Sequence, residues 1–367
     1  MTQAAGPLTE VVSGPRHRLR SSVESFVNRD GELCLVRPGG QDAVVRDPEE
    51  LDIELVDELR DRWQTADALA QRFGCDRRLI QHKLDALVAA DLVVVSSLPA
   101  EPPLAGDDAE RFSRQLPYLA ELGDEAGLQR RLRASTVVVI GCGGLGTWVV
   151  ATLACIGVGR VVVVDDDRVE LSNLNRQILY TRGDIGESKA ASVARWLEAF
   201  DPSIETSVLE HRIASSGDVA PLANGADVVV LAADWPPYEI GRWVNEACVA
   251  ARVPFIVAGQ LPPLIKVGPT YMPGEGPCWA CHETAVADAS HAYEDYVAFR
   301  SSRPITAATI GPASCVAGGL MGLELLHLLT GHGPATRDAA LLVDMRTLTV
   351  RREHIQRDPA CCACKDL

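Results

Sequence analysis

Between Gly141 and Lys189 the chain gathers residue types that handle phosphates. Gly141, Gly143, Gly144 and Gly146 come first, and glycines let backbone N–H groups approach an anion at a helix start. About twenty residues further on, where a mononucleotide fold places the acid for ribose hydroxyls, stand Asp165, Asp166 and Asp167. Then follow Ser172-Asn173-Leu174-Asn175-Arg176-Gln177, Asp184-Ile185-Gly186 and Lys189. A glycine turn alone would point to a dinucleotide. Hydride transfer has no use for an arginine and a lysine at this place, whereas a triphosphate does. Asp234 closes a later apolar run, where a carboxylate can ligate Mg2+ between phosphates. Two further pairs, Cys278/Cys281 and Cys361/Cys364, have the CxxC spacing of a closed four-cysteine zinc site. Cys362 leaves a second register open, and spacing favours Cys361.

These residues need a scaffold, and the flanking patterns supply one. Thr136 to Ile140 is β-branched and too short for a helix, so it reads as a buried strand. Leu145 to Ile156 follows as an apolar helix, and Val161 to Val164 as a second strand. Strand, glycine turn, helix, strand and acid make a βαβ unit with its ligand at the strands' C-terminal ends. A helix over Lys189 to Phe200, strands over Ile204 to Glu210 and Asp227 to Asp234, a helix over Val316 to Leu329, and strands over Ala340 to Asp344 and Thr347 to Arg352 complete a Rossmann-like α/β sheet.

The strings GCGGLG, DDDRVELSNLNRQ and DIGESK together resemble the ubiquitin-activating-type (ThiF/MoeB/HesA-like) adenylyltransferases. That family includes enzymes that activate sulfur-carrier proteins and a microcin C adenylating branch. The resemblance runs from about Arg111 to the C-terminus. It implies ATP as substrate, Asp165 on the ribose, Asn173 and Arg176 on the phosphates, and Lys189 against the charge that develops on them. It places Asp167 at the edge of the nucleotide site, Gln177 as the residue that orders the loop, and Asp234 on Mg2+. After Asp234 the family continues with Asn, and this chain has Trp235-Pro236-Pro237. Glu110 to Gln115 resembles a short RxxRQ segment whose second arginine, here Arg114, crosses a homodimer interface to the partner's ATP. The family carries structural Zn2+ at places matching Cys278, Cys281, Cys361 and Cys364. Members that pass the substrate to a cysteine carry it upstream of a Gly-Pro. The corresponding place here, Arg303 to Thr306, has none, and Cys315 reads as a small buried apolar residue. The expectation is an enzyme that stops at the adenylate or lets a second nucleophile attack it.

The 367 residues suggest two domains, and the net charge of −15 argues against nucleic acid as the main ligand. Eleven cysteines without a signal-peptide core read as reduced thiols and metal ligands, and with no apolar run judged long enough for a membrane span the expected compartment is cytoplasmic. The expected organisation is a disordered tail (1–15), a winged-helix-type α+β domain (16–98), a Pro-rich linker (99–109) and the adenylation domain (110–367). In the second of these, Asn28-Arg29-Asp30-Gly31 between apolar runs is a hairpin signal. Asp47-Pro48 starts a helix, and two more follow at Thr65 to Phe73 and Asp76 to Ala90. The order resembles precursor-peptide recognition domains, which add a peptide as a strand at a sheet edge. DNA binding and simple packing are the competing readings, and the third helix (Arg77, Arg78, Lys83) carries few cations for a phosphate footprint. The function expected is activation of a peptide carboxylate. Alternatives are a carrier protein ending in Gly-Gly, or a non-catalytic leader-binding scaffold.

Overall fold

The computed structural model describes residues 14–40, 42–97, 101–302 and 308–366. The expected tail, up to residue 13, and the crossover segment at Arg303 to Thr306 lie outside the described residues. The chain divides into two compact units, Met1–Arg130 and Arg131–Leu367.

In the first unit, β1 (Arg16–Leu19) precedes an antiparallel sheet of β2 (Glu24–Val27), β3 (Leu33–Val36) and β4 (Ala43–Val45). The β2–β3 hairpin turns at the foreseen Asp-Gly: Asn28 Oδ1 accepts the N–H groups of Asp30 and Glu32, and Gly31 takes φ 81°. Next come α1 (Glu50–Arg60), β5 (Gln64–Thr65), α2 (Ala66–Phe73), α3 (Arg77–Ala89) and β6 (Val93–Ser96). The two further helices form where expected, and Thr65 and Asp76 are the caps of α2 and α3. Asp47 does not cap α1: its φ is 50°, and Glu49 caps the helix in a reciprocal box with Asp52. Strands β5, β1 and β6 form a second sheet. β1 reads RHRL and was not foreseen, because its charges hide the pattern; Arg16 is buried by pairing with Asp124 at 2.9 Å and lying over the Trp63 ring.

The last helices of this unit are α4 (Gly106–Arg111), α5 (Leu116–Ala120) and α6 (Glu125–Ala134). α4 occupies the end of the stretch expected as a linker without periodicity. Its successors are tied to the first unit by Arg20 to Glu121, Arg16 to Asp124 and the Ser21 hydroxyl donating to Pro117 O.

The second unit runs β7 (Thr136–Ile140), α7 (Gly144–Ile156), β8 (Arg160–Val164), α8 (Lys189–Phe200), β9 (Glu205–Leu209), α9 (Ser216–Ala223), β10 (Val228–Leu231), α10 (Glu239–Ala251), β11 (Phe255–Leu261) and β12 (Leu264–Tyr271). It ends with α11 (Trp279–Asp288), α12 (Tyr293–Ser302), α13 (Gly311–Thr330), β13 (Ala339–Asp344) and β14 (Val350–His354). One eight-stranded sheet has the order β14-β13-β12-β11-β10-β7-β8-β9. β9 through β11 are parallel and β11 through β14 antiparallel. The chain winds outward from β7 through β8 and β9, then returns to β7's other side as β10. That switch point is where a doubly wound sheet opens a crevice.

Alternation along β7 shows why this strand is buried on both faces. Val137 and Val139 join the core beneath α7, α8 and α13, while Val138 and Ile140 join the core beneath α9 and α10. Each fully buried valine contributes about 1.5–3 kcal/mol. α13 corrects one expectation: it is long and apolar enough to cross a membrane by length and composition. Here it is a core helix, with Gly318 and Gly322 set against Trp148 and Thr152 of α7 so closely that a Cβ would clash at 2.4 and 2.8 Å.

Candidate active site

The C-terminal ends of β7, β8, β10 and β11 open onto a cavity of about 680 Å3. Two glycines make the first turn possible. Gly141 has φ 97°, and a Cβ there would lie 2.7 Å from Ala233 N; a Cβ on Gly146 would meet Gly141 O at 1.9 Å. The loop therefore passes flat between β10 and α7, and Gly143 at the N-cap leaves the helix start open to a ligand.

Asp165 ends β8 beside this turn. Its Oδ2 accepts Cys142 N–H at 2.6 Å and its Oδ1 accepts Asp167 N–H at 2.8 Å. Burial pushes its carboxyl above the ordinary value, opposed by the Cys142 N–H and the Lys189 charge. Lys189, at the first turn of α8, is held by Asp167 at 2.8 Å and is almost wholly buried. Asp167 is thus the counter-charge that aims this ammonium. Arg176 lines the cavity with Nη1 donating to Ser172 O and Asn175 Oδ1. Gln177 also lines it, and its buried Oε1 has no hydrogen-bond partner among the described residues. Asp234 stands exposed to the cavity just past β10.

Gly141, Gly143, Gly144, Asp165, Asp167, Arg176, Gln177, Lys189 and Asp234 are therefore brought together. Three expected site residues are placed differently. Gly146 sits one turn back, packed on Gly141. Asn173 is buried and does not line the cavity; its Oδ1 accepts Glu170 N–H in the cap of a short 3-10 turn. Arg114 is exposed between α4 and α5 of the other unit. Cys315, expected to be buried, is exposed on α13.

Sequence reasoning missed His211 and Arg212 past β9, Gln260 on β11 and Arg300 on α12, all of which line the cavity. Arg212 follows a strand end, which was a usable signal. Gln260 was hidden because the β11–β12 hairpin was not foreseen. It links two elements, its Nε2 donating to Ser314 Oγ at 2.7 Å and its Oε1 accepting Ile310 N–H at the start of α13.

The chemistry of the donor set fits a hard divalent cation beside a polyphosphate. Asp165, Asp166 and Asp167 have carboxylate oxygens within 4.8 Å of one another, and Asp234 faces the same cavity. Four acids beside a triphosphate require Arg176, Lys189 and a cation to offset the repulsion.

Away from this cavity, Cys278, Cys281, Cys361 and Cys364 are buried with their Sγ atoms within 4.8 Å of one another. The Sγ separations are 3.8 Å for Cys278–Cys281 and 3.6 Å for Cys278–Cys361 and Cys281–Cys364. A tetrahedron with Zn–S bonds of about 2.3 Å has edges of about 3.8 Å, so the four thiols fit zinc. Cys362 is exposed, and Asp358 N–H donates to Cys281 Sγ at 3.4 Å.

The chain is similar to several known proteins. A sulfur carrier protein adenylyltransferase of Thermus thermophilus is 33% identical over 71% of this chain and 92% of its own length. The adenylyltransferase and sulfurtransferase MOCS3 of Sus scrofa is 33% identical over 78% of this chain, which spans 60% of that relative. Among solved structures, E. coli MccB with ATP superposes with a TM-score of 0.73 at 23% identity, covering 95% of this chain and 99% of that one. The ThiF family model matches residues 112–364, and the chain belongs to the ThiF family of adenylyl-transferring enzymes.

Proposed function

We propose that the protein adenylylates a carboxylate of a ribosomally made peptide. ATP lies with its ribose on Asp165 and its phosphates across the glycine turn, Arg176 and Lys189. A substrate carboxylate oxygen attacks the α-phosphorus; the new P–O bond forms as the bond to the β-phosphate oxygen breaks, and pyrophosphate leaves with the electron pair. Charge grows on phosphoryl oxygens in this step, and preorganised cations there supply most of the rate. Lys189, held by Asp167, is such a group. Mg2+, held by Asp234, would neutralise phosphate charge when bound, and Zn2+ on the four cysteines would hold α11 to the C-terminal segment. Arg114 reaches the partner's site in a homodimer.

The peptide reading is carried by one observation in the first unit. The β2-β3-β4 sheet has two edges unpaired among the described residues, and at β2 the exposed Phe26 and Val27 border a cavity of about 220 Å3. A strand edge beside an apolar pocket is what strand addition of a peptide requires. The pocket is built with Ile53, Asp57 and Arg60 of α1, where the sequence pointed to the third helix. The coverage of 95% by the MccB fold includes this unit, whereas the alignment to the Thermus enzyme covers 71% of the chain. A carrier protein ending in Gly-Gly is the second reading, favoured by those sequence relatives. The test is ATP- and Mg2+-dependent pyrophosphate release by the full chain. Short peptides encoded beside the gene should support it, and a Gly-Gly carrier should not; the reverse result would install the second reading.

A further inference from the structure

Among the described residues four cations line the cavity, and three are engaged. Lys189 is paired with Asp167 at 2.8 Å, Arg212 lies 3.9 Å from Asp166, and Arg176 donates to Ser172 O and Asn175 Oδ1. Arg300 has no carboxylate within ion-pairing distance among the described residues. Its place follows from how α12 is held. α12 has no buried residue of its own. Instead Tyr238, in the left-handed region at φ 67° just before α10, sets its ring edge-on to Tyr293 at 5.9 Å and Tyr296 at 6.5 Å. Tyr293 also donates to Glu283, which Arg242 holds through both carboxylate oxygens. Tyr293, Tyr296 and Arg300 are spaced three and four apart and share one helix face. The two tyrosines that dock the helix thereby deliver the guanidinium to the cavity.

The order of strands says which part of the cavity this is. Asp165 follows β8 and the glycine turn follows β7, whereas Leu261 ends β11 and Trp235 lies between the end of β10 and Tyr238 at the start of α10. At about 4.8 Å per strand, β11 lies roughly 14 Å from β8. The residues assigned to ribose and phosphates are at one end, and the exposed Trp235 and Leu261 line the same cavity as Arg300 toward the other.

Resting on the adenylylation reading, we infer that Arg300 binds the substrate's carboxylate before it attacks ATP, with Trp235 and Leu261 flanking the residue that bears it. Arg300 is therefore the residue that selects an acid over its neutral counterpart at the acceptor end. A guanidinium matches a carboxylate through two parallel N–H donors, one to each oxygen, and each oxygen keeps a further lone pair with which to attack.

The test uses the full-length protein with Mg2+ and the non-hydrolysable analogue AMPCPP. The probes are a pool of N-acetyl tripeptides with free C-terminal acids and the matched carboxamides, followed by ligand-observed NMR. Wild type should bind the acids about tenfold or more above the amides. Arg300→Gln should abolish that preference, Arg300→Lys should restore part of it, and calorimetric AMPCPP affinity should stay within about twofold in both. Acid preference that survives in Arg300→Gln, or is missing from wild type, overturns the inference. Weakened AMPCPP binding with acid preference intact would instead assign Arg300 to the triphosphate, and also overturns it. Pyrophosphate release with the same acids is measured separately. Its absence in wild type sinks the adenylylation reading, while the acid-to-amide ratio still decides the role of Arg300.

Discussion

In the proposed reaction each residue of the phosphate end has a separable job. Lys189 carries charge and Asp167 aims it, so the two substitutions should differ. Lys189→Ala should lower pyrophosphate release about 100- to 1,000-fold. Asp167→Asn leaves the ammonium in place but frees it, and should lose less rate with nucleotide affinity nearly unchanged. Equal losses in a side-by-side kinetic assay would mean that Asp167 contacts the nucleotide itself. Gly141 is limiting for a backbone reason. Its φ of 97° and the 2.7 Å approach to Ala233 N leave no room for a methyl group. Gly141→Ala should therefore cost about 1–3 kcal/mol in a denaturation experiment, besides distorting the turn. Gly141 and Lys189 were readable in the sequence because motif spacing encodes them. Gln260 and Arg300 were not, since each reaches the cavity from an element distant in the chain.

At the scale of elements, β1 shows how a polar strand becomes interior. His17 is buried there, with Nδ1 unpartnered among the described residues. Burial holds its imidazole below the ordinary 6.5, against the opposing pull of the Gln64 backbone bond and Asp85. The fold thus favours neutral His17. The stability this contributes is complete above the unfolded pKa of 6.5 and is lost as pH falls through the lower folded value. Thermal melts should show the first unit weakening as pH falls below 6.5, and His17→Phe should flatten that slope. A slope unchanged by the substitution would place the pH sensitivity elsewhere. The helices of this unit were legible, because Thr65 and Asp76 are ordinary caps before periodic apolar runs. RHRL was not, because its burial depends on Asp124 and Trp63, both far along the chain.

Over the whole molecule, two assemblies can be tested. If the four cysteines hold zinc, chelation should release one ion per chain and lower the melting temperature, because metal binding is coupled to folding. Cys278→Ser and Cys364→Ser should lose metal and stability together, whereas Cys362→Ser should lose neither. If a homodimer shares its sites, Arg114→Ala and Lys189→Ala should each be nearly inactive alone and recover activity when mixed. No recovery despite proven subunit exchange would confine Arg114 to its own chain. The sequence by itself determined what local physics and motif spacing encode: the glycine turn, the acid after β8, the lysine at a helix start, the two CxxC pairs and the places of α2 and α3. Each depends on neighbours within a few residues or on a chemistry that tolerates one spacing. Only the tertiary structure decided that β10 returns beside β7 to open the crevice, that α13 is a core helix, and that α12, packed on Tyr238, brings Arg300 to the cavity. Those placements follow from contacts between segments tens to hundreds of residues apart, which no local pattern records.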